Sequence, residues 1–278
     1  MSDPLDQAKA TAGILADLKN IAGDNPDVKA GALEAAKSFR TATTFINNAL
    51  LPLVAVNWTI QKAKDFFQGG QFEEELRPKI SDIPWESIIE PKASVAGPAM
   101  QGLSFSLDEP ALKDMYLNLL AKSMDGRHSE QAHPSFVEII KQITSLEAKL
   151  LESLLVPGRI QPMVQLRQAV KVGGYQKTIH HICSITSTGI SESITFATYI
   201  DNWVRLGLVY VSYDEQLLAP GSYDWVQARP EYDKYKKEFD TDETKLEVVK
   251  GFVAATSLGL KFGEVVGIYT PASTRAVS

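Results

Sequence analysis

The chain has 278 residues, 44% of them hydrophobic and 22% charged, which leaves room for one large globular domain or two modest ones. A formal net charge of −6 excludes a general electrostatic attraction to nucleic acid or anionic lipid, and the single cysteine, Cys183, excludes an intrachain disulfide. The first residues, MSDPLDQAKATAG, lack the basic and apolar stretches of a secretory signal. We therefore expect a cytoplasmic protein.

The first third of the chain is predicted to be helical. One helical run stops at Gly23, and a second runs from about Val28 to Gly69–Gly70. Residues 45–60, FINNALLPLVAVNWTI, are its most apolar part, but they are shorter than the roughly 20 residues that a spanning helix needs. We expect a helix buried in a bundle. The alternative is an interfacial helix that becomes exposed on activation.

The next segment is interrupted by prolines between residues 78 and 110, which predicts short pieces. One of them is a short helix that starts at Asp82–Pro84 and runs through Trp85 and Ile88. A clear helix then follows and ends near Asp125–Gly126. Ser106 and Glu109 have the spacing of a capping box at its start. Its apolar stripe consists of Leu112, Met115, Tyr116, Leu119 and Leu120.

The stretch HPSFVEIIKQITSLEAKL brings together His133, Ser135 and Glu138, three residue types that hydrolases use for catalysis. However, catalytic triads usually converge from distant segments, and the chain has no G-x-S-x-G motif. Ser135–Glu138 and Thr144–Glu147 instead have the spacing of two capping boxes. The pattern therefore favours helix starts over catalysis and leaves only His133 without a structural role.

From residue 144 onward the pattern mixes strands with helices. Alternating apolar residues around Gly173–Gly174 predict a β-hairpin. A helix is predicted from about Ser191 to Leu206, capped by Gly207 and followed by a strand, a tight turn at Asp214–Glu215 and a second strand. Residues 221–245 read as a charged insertion, and a last strand and helix close the chain.

The predicted fold class is mainly α, of the α+β type. A helical bundle over residues 1–143 precedes a winged-helix-like domain with short β-hairpins over residues 144–278.

Metal and nucleotide motifs are missing from the sequence. His181 and Cys183 would share one face of a strand, but two ligands fall short of the three or four that zinc requires. There is no G-x-x-x-x-G-K-[ST] phosphate loop. We therefore expect no metal, no cofactor and no small-molecule substrate.

A winged helix often binds DNA, but residues 191–220 contain one basic residue, Arg205, against four acidic ones, a net of −3. Contact with a protein partner, or self-association, is therefore expected instead. A place in the domain's own core is an equal alternative for Trp203, and Tyr210 is a further aromatic of this region. The candidate partner-binding residues are Trp58, Trp85, Tyr199, Trp203, Arg205 and Tyr213.

Several strings resemble the abortive-infection alpha family of bacteria. They include INNALLPLVAVNW, IPWESIIEP, LKDMYLNLLAKSMD, HPSFVEIIKQITSLEAKLL and DNWVRLGLV, and they run from about residue 40 to residue 266. The resemblance implies a part in defence against phage, but it supplies no catalytic residues. The predicted function is that of a sensor, scaffold or effector that acts by binding. The alternatives are a winged-helix transcriptional regulator and a membrane-active effector using residues 45–60.

Overall fold

The computed structural model describes residues 58–183 and 194–270. The side chains of Trp58, Thr59, Ile60, Trp85, Ile194 and Thr195 lie outside the description. These residues combine helices with a four-stranded antiparallel sheet, so the protein is of mixed α+β type. The chain divides into two compact units. Unit 1 extends to Ala148 and includes Val265–Gly267, and unit 2 extends from Lys149 to Glu264 and resumes at Ile268. The predicted apolar helix lies, up to residue 57, outside the described residues.

Unit 1 is helical throughout its described part. Its helices are α1 (Trp58–Gln68), α2 (Gln71–Ile80), α3 (Ala93–Phe105), α4 (Pro110–Met124) and α5 (Pro134–Ile140), and α6 (Ser145–Leu151) crosses into unit 2. All five residues of the stripe predicted for α4 are buried. At Gly102, α3 approaches α4 so closely that an added Cβ would overlap the Tyr116 ring. The core of this unit therefore depends on a small residue facing a large one.

The prediction of short pieces between residues 71 and 110 was wrong, although the one-turn helix Trp85–Ser87 does form. Both α2 and α3 have a proline inside them, Pro78 and Pro98 respectively. A proline removes one backbone donor, and its cost in a helix is about 3 kcal/mol. Burial of apolar residues of α3, among them Val95 and Leu103, offsets that cost.

Of the predicted capping boxes, Thr144–Glu147 forms and Ser106–Glu109 does not. The Thr144–Glu147 box is confirmed, because Glu147 Oε2 accepts from the Thr144 N–H (2.8 Å) and Thr144 Oγ1 accepts from the Glu147 N–H (3.2 Å). The Ser106–Glu109 box was wrong. Pro110 is the first residue of α4, which leaves Ser106 too far upstream, and its hydroxyl donates to the Gly102 carbonyl at the end of α3 instead.

Unit 2 is built around the sheet. Its further elements are β1 (Ile160–Val170), β2 (Tyr175–Cys183), α7 (Ile194–Arg205), β3 (Val209–Ser212), α8 (Pro230–Phe239), β4 (Thr244–Ala255) and α9 (Ser257–Val265). The strand order is β2-β1-β4-β3, with all pairs antiparallel. The predicted β1–β2 hairpin is confirmed, and Gly173 and Gly174 both have positive φ in its turn.

The end of α7 is confirmed as a glycine cap. Gly207 has φ 73° and donates to the Val204 carbonyl, while the Leu208 N–H bonds to the Trp203 carbonyl. The strand after it, β3, does not form the predicted hairpin around Asp214–Glu215. It pairs with β4, which follows some thirty residues later, because the apolar residues of β4 supply the better partner.

The segment predicted to be a charged insertion belongs to the core of unit 2. Val226, Tyr235 and Phe239 are buried against Val164 and Leu166 of β1. The charges that suggested an insertion lie on the outer side of α8, whereas its apolar residues recur at helical spacing and face the sheet. This segment therefore covers one face of the sheet.

Candidate functional site at the His180–His181 bulge

A β-bulge places two histidines opposite a single residue of β1. Val164 pairs with Ile182 and Leu166 pairs with Ile179, so His180 and His181 together oppose Gln165. Among the described residues, His181 is the only non-glycine residue with positive φ, 58°. A left-handed conformation costs an L-residue about 1–2 kcal/mol, and such conformations cluster at functional sites. The bulge is therefore the first feature of unit 2 to consider as a site.

The His181 side chain joins three segments of unit 2. Its Nδ1 lies 3.0 Å from the Tyr213 hydroxyl, just after β3, and its Nε2 lies 3.1 Å from Asp201 Oδ1 on α7. The His181 and Tyr213 rings are stacked, with centroids 6.0 Å apart. The Tyr213 hydroxyl also accepts from the His181 backbone N–H (3.2 Å). We refer to His181, Asp201 and Tyr213 as the bulge cluster.

Gly251 lets Tyr213 lie on the sheet. An added Cβ at this position of β4 would be 2.6 Å from Cδ1 of the Tyr213 ring and would overlap the Ser212 backbone oxygen. Only a residue without a side chain allows both approaches. Gly251 of β4 therefore positions the phenol that reaches His181 of β2.

Burial favours the neutral forms of His181 and Tyr213 in the bulge cluster. Burial lowers the pKa of His181, although the nearby Asp201 carboxylate opposes this. Burial also raises the pKa of Tyr213 well above its ordinary value. The arrangement fits a Tyr213 O–H that donates to a neutral imidazole, whose Nε2–H donates to Asp201.

In that arrangement each polar atom at the centre of the bulge cluster already has a partner. A phenol with a raised pKa is a poor nucleophile, and an imidazole that must lose one hydrogen bond to gain a proton is a poor base. Among the described residues, no group of three His, Cys, Asp or Glu side chains could hold a metal ion. The chemistry that this geometry serves best is the attachment of α7 to the sheet.

We expect the bulge cluster to give the protein an acid-sensitive stability component. Because the folded pKa of His181 lies below its unfolded value, its contribution is full above about pH 6.5 and is lost as pH falls through the lowered folded pKa, at no more than about 1.4 kcal/mol per pH unit. In His181→Asn the component disappears, while asparagine still tolerates positive φ. Urea unfolding of both proteins at about pH 7.5 and about pH 5.5 measures it.

Both proteins share all their other titratable groups, so their difference isolates His181. The free energy of unfolding of the wild type should exceed that of His181→Asn by less at the lower pH. An equal difference at the two pH values would contradict the assignment.

Two of the predicted partner-binding aromatics pack against each other. Trp203 is fully buried, stacks on Tyr199 with ring centroids 6.3 Å apart and packs edge-on against Phe196. Its Nε1–H has no hydrogen-bond partner in the described part of the chain. Trp203 therefore lies in the core of unit 2 and offers no surface to a partner, whereas Tyr199 is half-buried.

The other predicted residues are dispersed. Arg205 is exposed at the end of α7, where its guanidinium donates to Asn202 Oδ1 (2.7 Å). Tyr213 belongs to the bulge cluster, and Tyr210 packs edge-on against Phe252 of β4. Trp58 is the first described residue of α1, and Trp85 lies in the one-turn helix Trp85–Ser87. The side chains of both lie outside the description, so their predicted partner-binding role stays a prediction.

His133 has a structural role that sequence reasoning missed. It is the N-cap of α5, and its Nδ1 accepts from the Ser135 N–H (3.1 Å). The Ser135–Glu138 capping box was therefore wrong. Because Pro134 is the first residue of α5, Ser135 already lies inside the helix, and Glu138 pairs with Lys141 (2.9 Å).

His128 of unit 1 belongs to a hydrogen-bonded turn at the end of α4. The carboxylate of Asp125 follows α4 and accepts from the backbone and side chain of Arg127, and His128 Nδ1 lies 3.2 Å away. The Arg127 hydrogen bonds lower the pKa of Asp125 to about 2 despite its burial. These contacts stabilise the turn after α4.

Sequence reasoning identified the members of the bulge cluster only separately. The sequence offers His181 only together with Cys183 as an insufficient pair of metal ligands, Tyr213 as a partner-binding residue, and Asp201 as one of the four acidic residues of 191–220. The usable signal is that two polar residues separate Ile179 from Ile182, where strict strand alternation has one.

The helices and the antiparallel sheet make this an α+β protein, and in unit 2 a polar cluster joins the sheet to α7. A family model described as abortive infection alpha matches residues 68–266. The chain belongs to this family, which confirms the resemblance seen in the sequence. No curated protein and no solved structure matches the chain.

Proposed function

We propose that the protein acts in abortive-infection defence against phage, and that it does so by binding a protein partner rather than by catalysis. The observation that carries the proposal is the family match over residues 68–266. The bulge cluster offers no free nucleophile or base, because its hydrogen bonds are satisfied within unit 2. The described helices include none that is long and apolar enough to span a membrane.

The end of α7 is the surface we assign to the partner. Val204 on α7 is 43% exposed and Leu258 on α9 is 41% exposed. Leu258 Cδ2 lies 3.3 Å from the Cβ position of Gly207, one turn beyond Val204, so the two apolar side chains lie at the same end of α7. Arg205 adds a cation beside them. Exposed apolar residues with an arginine at their edge are typical of protein interfaces.

A winged-helix role for unit 2 remains a prediction, as does a bundle for residues 1–143. The succession of α7, the Gly207 cap and β3 supports the winged helix. The net charge of −3 over residues 191–220 favours a protein rather than a DNA partner for this face.

Phage plating tests the proposal. Cells that express the wild type should form fewer plaques with at least one phage of a panel, and Val204→Asp with Leu258→Asp should restore plaque numbers to those of cells without the protein. A charge at the centre of an apolar contact weakens binding without disturbing the buried core. Leu218→Asp is the matched control, because Leu218 is 88% exposed elsewhere in unit 2 and should leave protection intact.

Unchanged protection in the Val204→Asp, Leu258→Asp double variant would contradict the assignment of the end of α7 to the partner. A separate variant, Tyr213→Phe, tests catalysis, because it removes the only hydroxyl of the bulge cluster. Lost protection in a folded Tyr213→Phe protein would contradict a function by binding alone.

A further inference from the structure

One face of the β1–β2 hairpin is open and has an aromatic ring and two cations around a single methyl group. Ala169 of β1 pairs with Tyr175 of β2 on one side and with Lys245 of β4 on the other. Arg167 lies two residues earlier in β1, and residues two apart or directly paired share a face of a sheet. We call Arg167, Ala169, Tyr175 and Lys245 the open hairpin face. Leu166 points to the opposite face, which the α8 segment covers.

The guanidinium of Arg167 is fixed in place. Its Nε and Nη2 both donate to Gln165 Oε1, at 3.2 and 2.9 Å, and its Cζ lies 4.6 Å from the centroid of the Tyr175 ring. Gln165 itself is buried. Glu247 pairs with Arg167 across the strands, yet in the described residues no carboxylate lies within salt-bridge distance of Arg167. Arg167 is therefore oriented by Gln165, and the Glu247 carboxylate that shares its face is too far away to form a salt bridge with it.

The charge of these strands is opposite to that of the whole chain. Residues 167–180 and 244–250 hold five basic residues and one acidic residue, Glu247, in a chain of net charge −6. Two of the five serve the covered face: Lys177 pairs with Glu238 of α8, and Lys250 lies over the Tyr223 ring. Lys245 is exposed, and the described residues provide its ammonium group with no hydrogen-bond partner. Acidic Asp242 and Glu243 precede β4, beyond the paired strands. The open hairpin face therefore attracts an anion locally although the protein as a whole does not.

Tyr175 makes this surface more than a phosphate site. Its side chain is 57% exposed, and Arg167 lies over one side of the ring. Because Ala169 is small, a planar group can lie flat beside the ring between Arg167 and Lys245. Stacking on an aromatic ring beside a row of cations is how proteins bind unpaired bases.

We propose that the open hairpin face binds single-stranded nucleic acid, with a base stacked on Tyr175 and neighbouring phosphates held by Arg167 and Lys245. A duplex would hide its base faces from Tyr175, and so the single strand is the form that this surface selects. This surface is distinct from the end of α7, and the inference does not depend on the partner proposed there.

Fluorescence anisotropy with labelled oligothymidylate and oligouridylate of about 20 nucleotides tests the proposal on the full chain. Two phosphate contacts predict a salt slope of about −1.4, so binding should weaken about 7-fold when salt rises from about 50 to about 200 mM. Arg167→Gln and Lys245→Gln should each reduce that slope by about 0.7. Tyr175→Ala should weaken binding by about fivefold or more.

Two matched variants are the controls. Lys237→Gln removes the same charge from α8, on the opposite side of the sheet, and Tyr210→Ala removes an aromatic ring of similar exposure from β3. Both should bind like the wild type, and circular dichroism checks the folding of every variant.

Four results would overturn the proposal: no change in anisotropy with either oligonucleotide at low salt, equal weakening in Lys237→Gln and Lys245→Gln, unchanged binding in a folded Tyr175→Ala protein, or equally tight binding of a duplex. None of them bears on phage plating by the α7 variants, so the two proposals fail independently.

Discussion

Replacing Phe239 by alanine is expected to lower the free energy of unfolding by about 3–5 kcal/mol. Phe239 is fully buried at the end of α8, where its ring packs against Tyr235 with centroids 5.3 Å apart. Its backbone carbonyl also accepts from Thr244 Oγ1 at the start of β4. Truncation would leave a cavity between α8 and the sheet. Urea unfolding measured by circular dichroism gives the value.

Lys237→Ala is the control for Phe239→Ala. Lys237 is exposed two residues earlier in α8, and its replacement should change stability by no more than about 0.5 kcal/mol. If both variants were equally stable, residues 221–245 would be an appended segment, as their charge suggested, and not part of the core.

The second large effect is expected for Gly259→Ala. Gly259 lies in the first turn of α9, and an added Cβ would overlap the Leu208 backbone oxygen and approach Leu155 Cδ2 at 3.1 Å. The Leu208 backbone oxygen, just before β3, cannot turn aside as a side chain can, so α9 must move away from the sheet. We expect a loss of about 3 kcal/mol or more, above the usual range for overpacking, measured by thermal or urea unfolding.

Alanine is normally favoured over glycine in a helix by about 1 kcal/mol, so this prediction runs against helix propensity. Ser257→Ala, at an exposed position of the same helix, controls for that preference and should change stability little. A Gly259→Ala protein as stable as the wild type would mean that α9 and Leu208 are not in close contact.

Local patterns predicted those elements whose signal lies within the element itself. The apolar stripe of α4, the glycine turn of the β1–β2 hairpin and the Gly207 cap all depend on residues a few positions apart. The prolines made the prediction for α2 and α3 wrong. The sequence shows the cost of a proline inside a helix, but burial of the apolar faces of these helices outweighs that cost.

Features that join distant residues could not be predicted in this way. The partner of β3 lies beyond α8, and a two-residue turn at Asp214–Glu215 was the nearer but incorrect choice. The bulge cluster takes His181, Asp201 and Tyr213 from three segments, and its geometry depends on Gly251 in a fourth. No periodicity within a single segment encodes such a convergence.

The strand order of unit 2 has a consequence for how the chain folds as it is synthesised. The β1–β2 hairpin emerges from the ribosome early, but one edge of β1 has no partner until β4 has been translated. Until then the hairpin exposes unpaired backbone groups together with the apolar side chains that α8 later covers. Nascent chains that stall before residue 244 should therefore be prone to aggregation and should depend on chaperones.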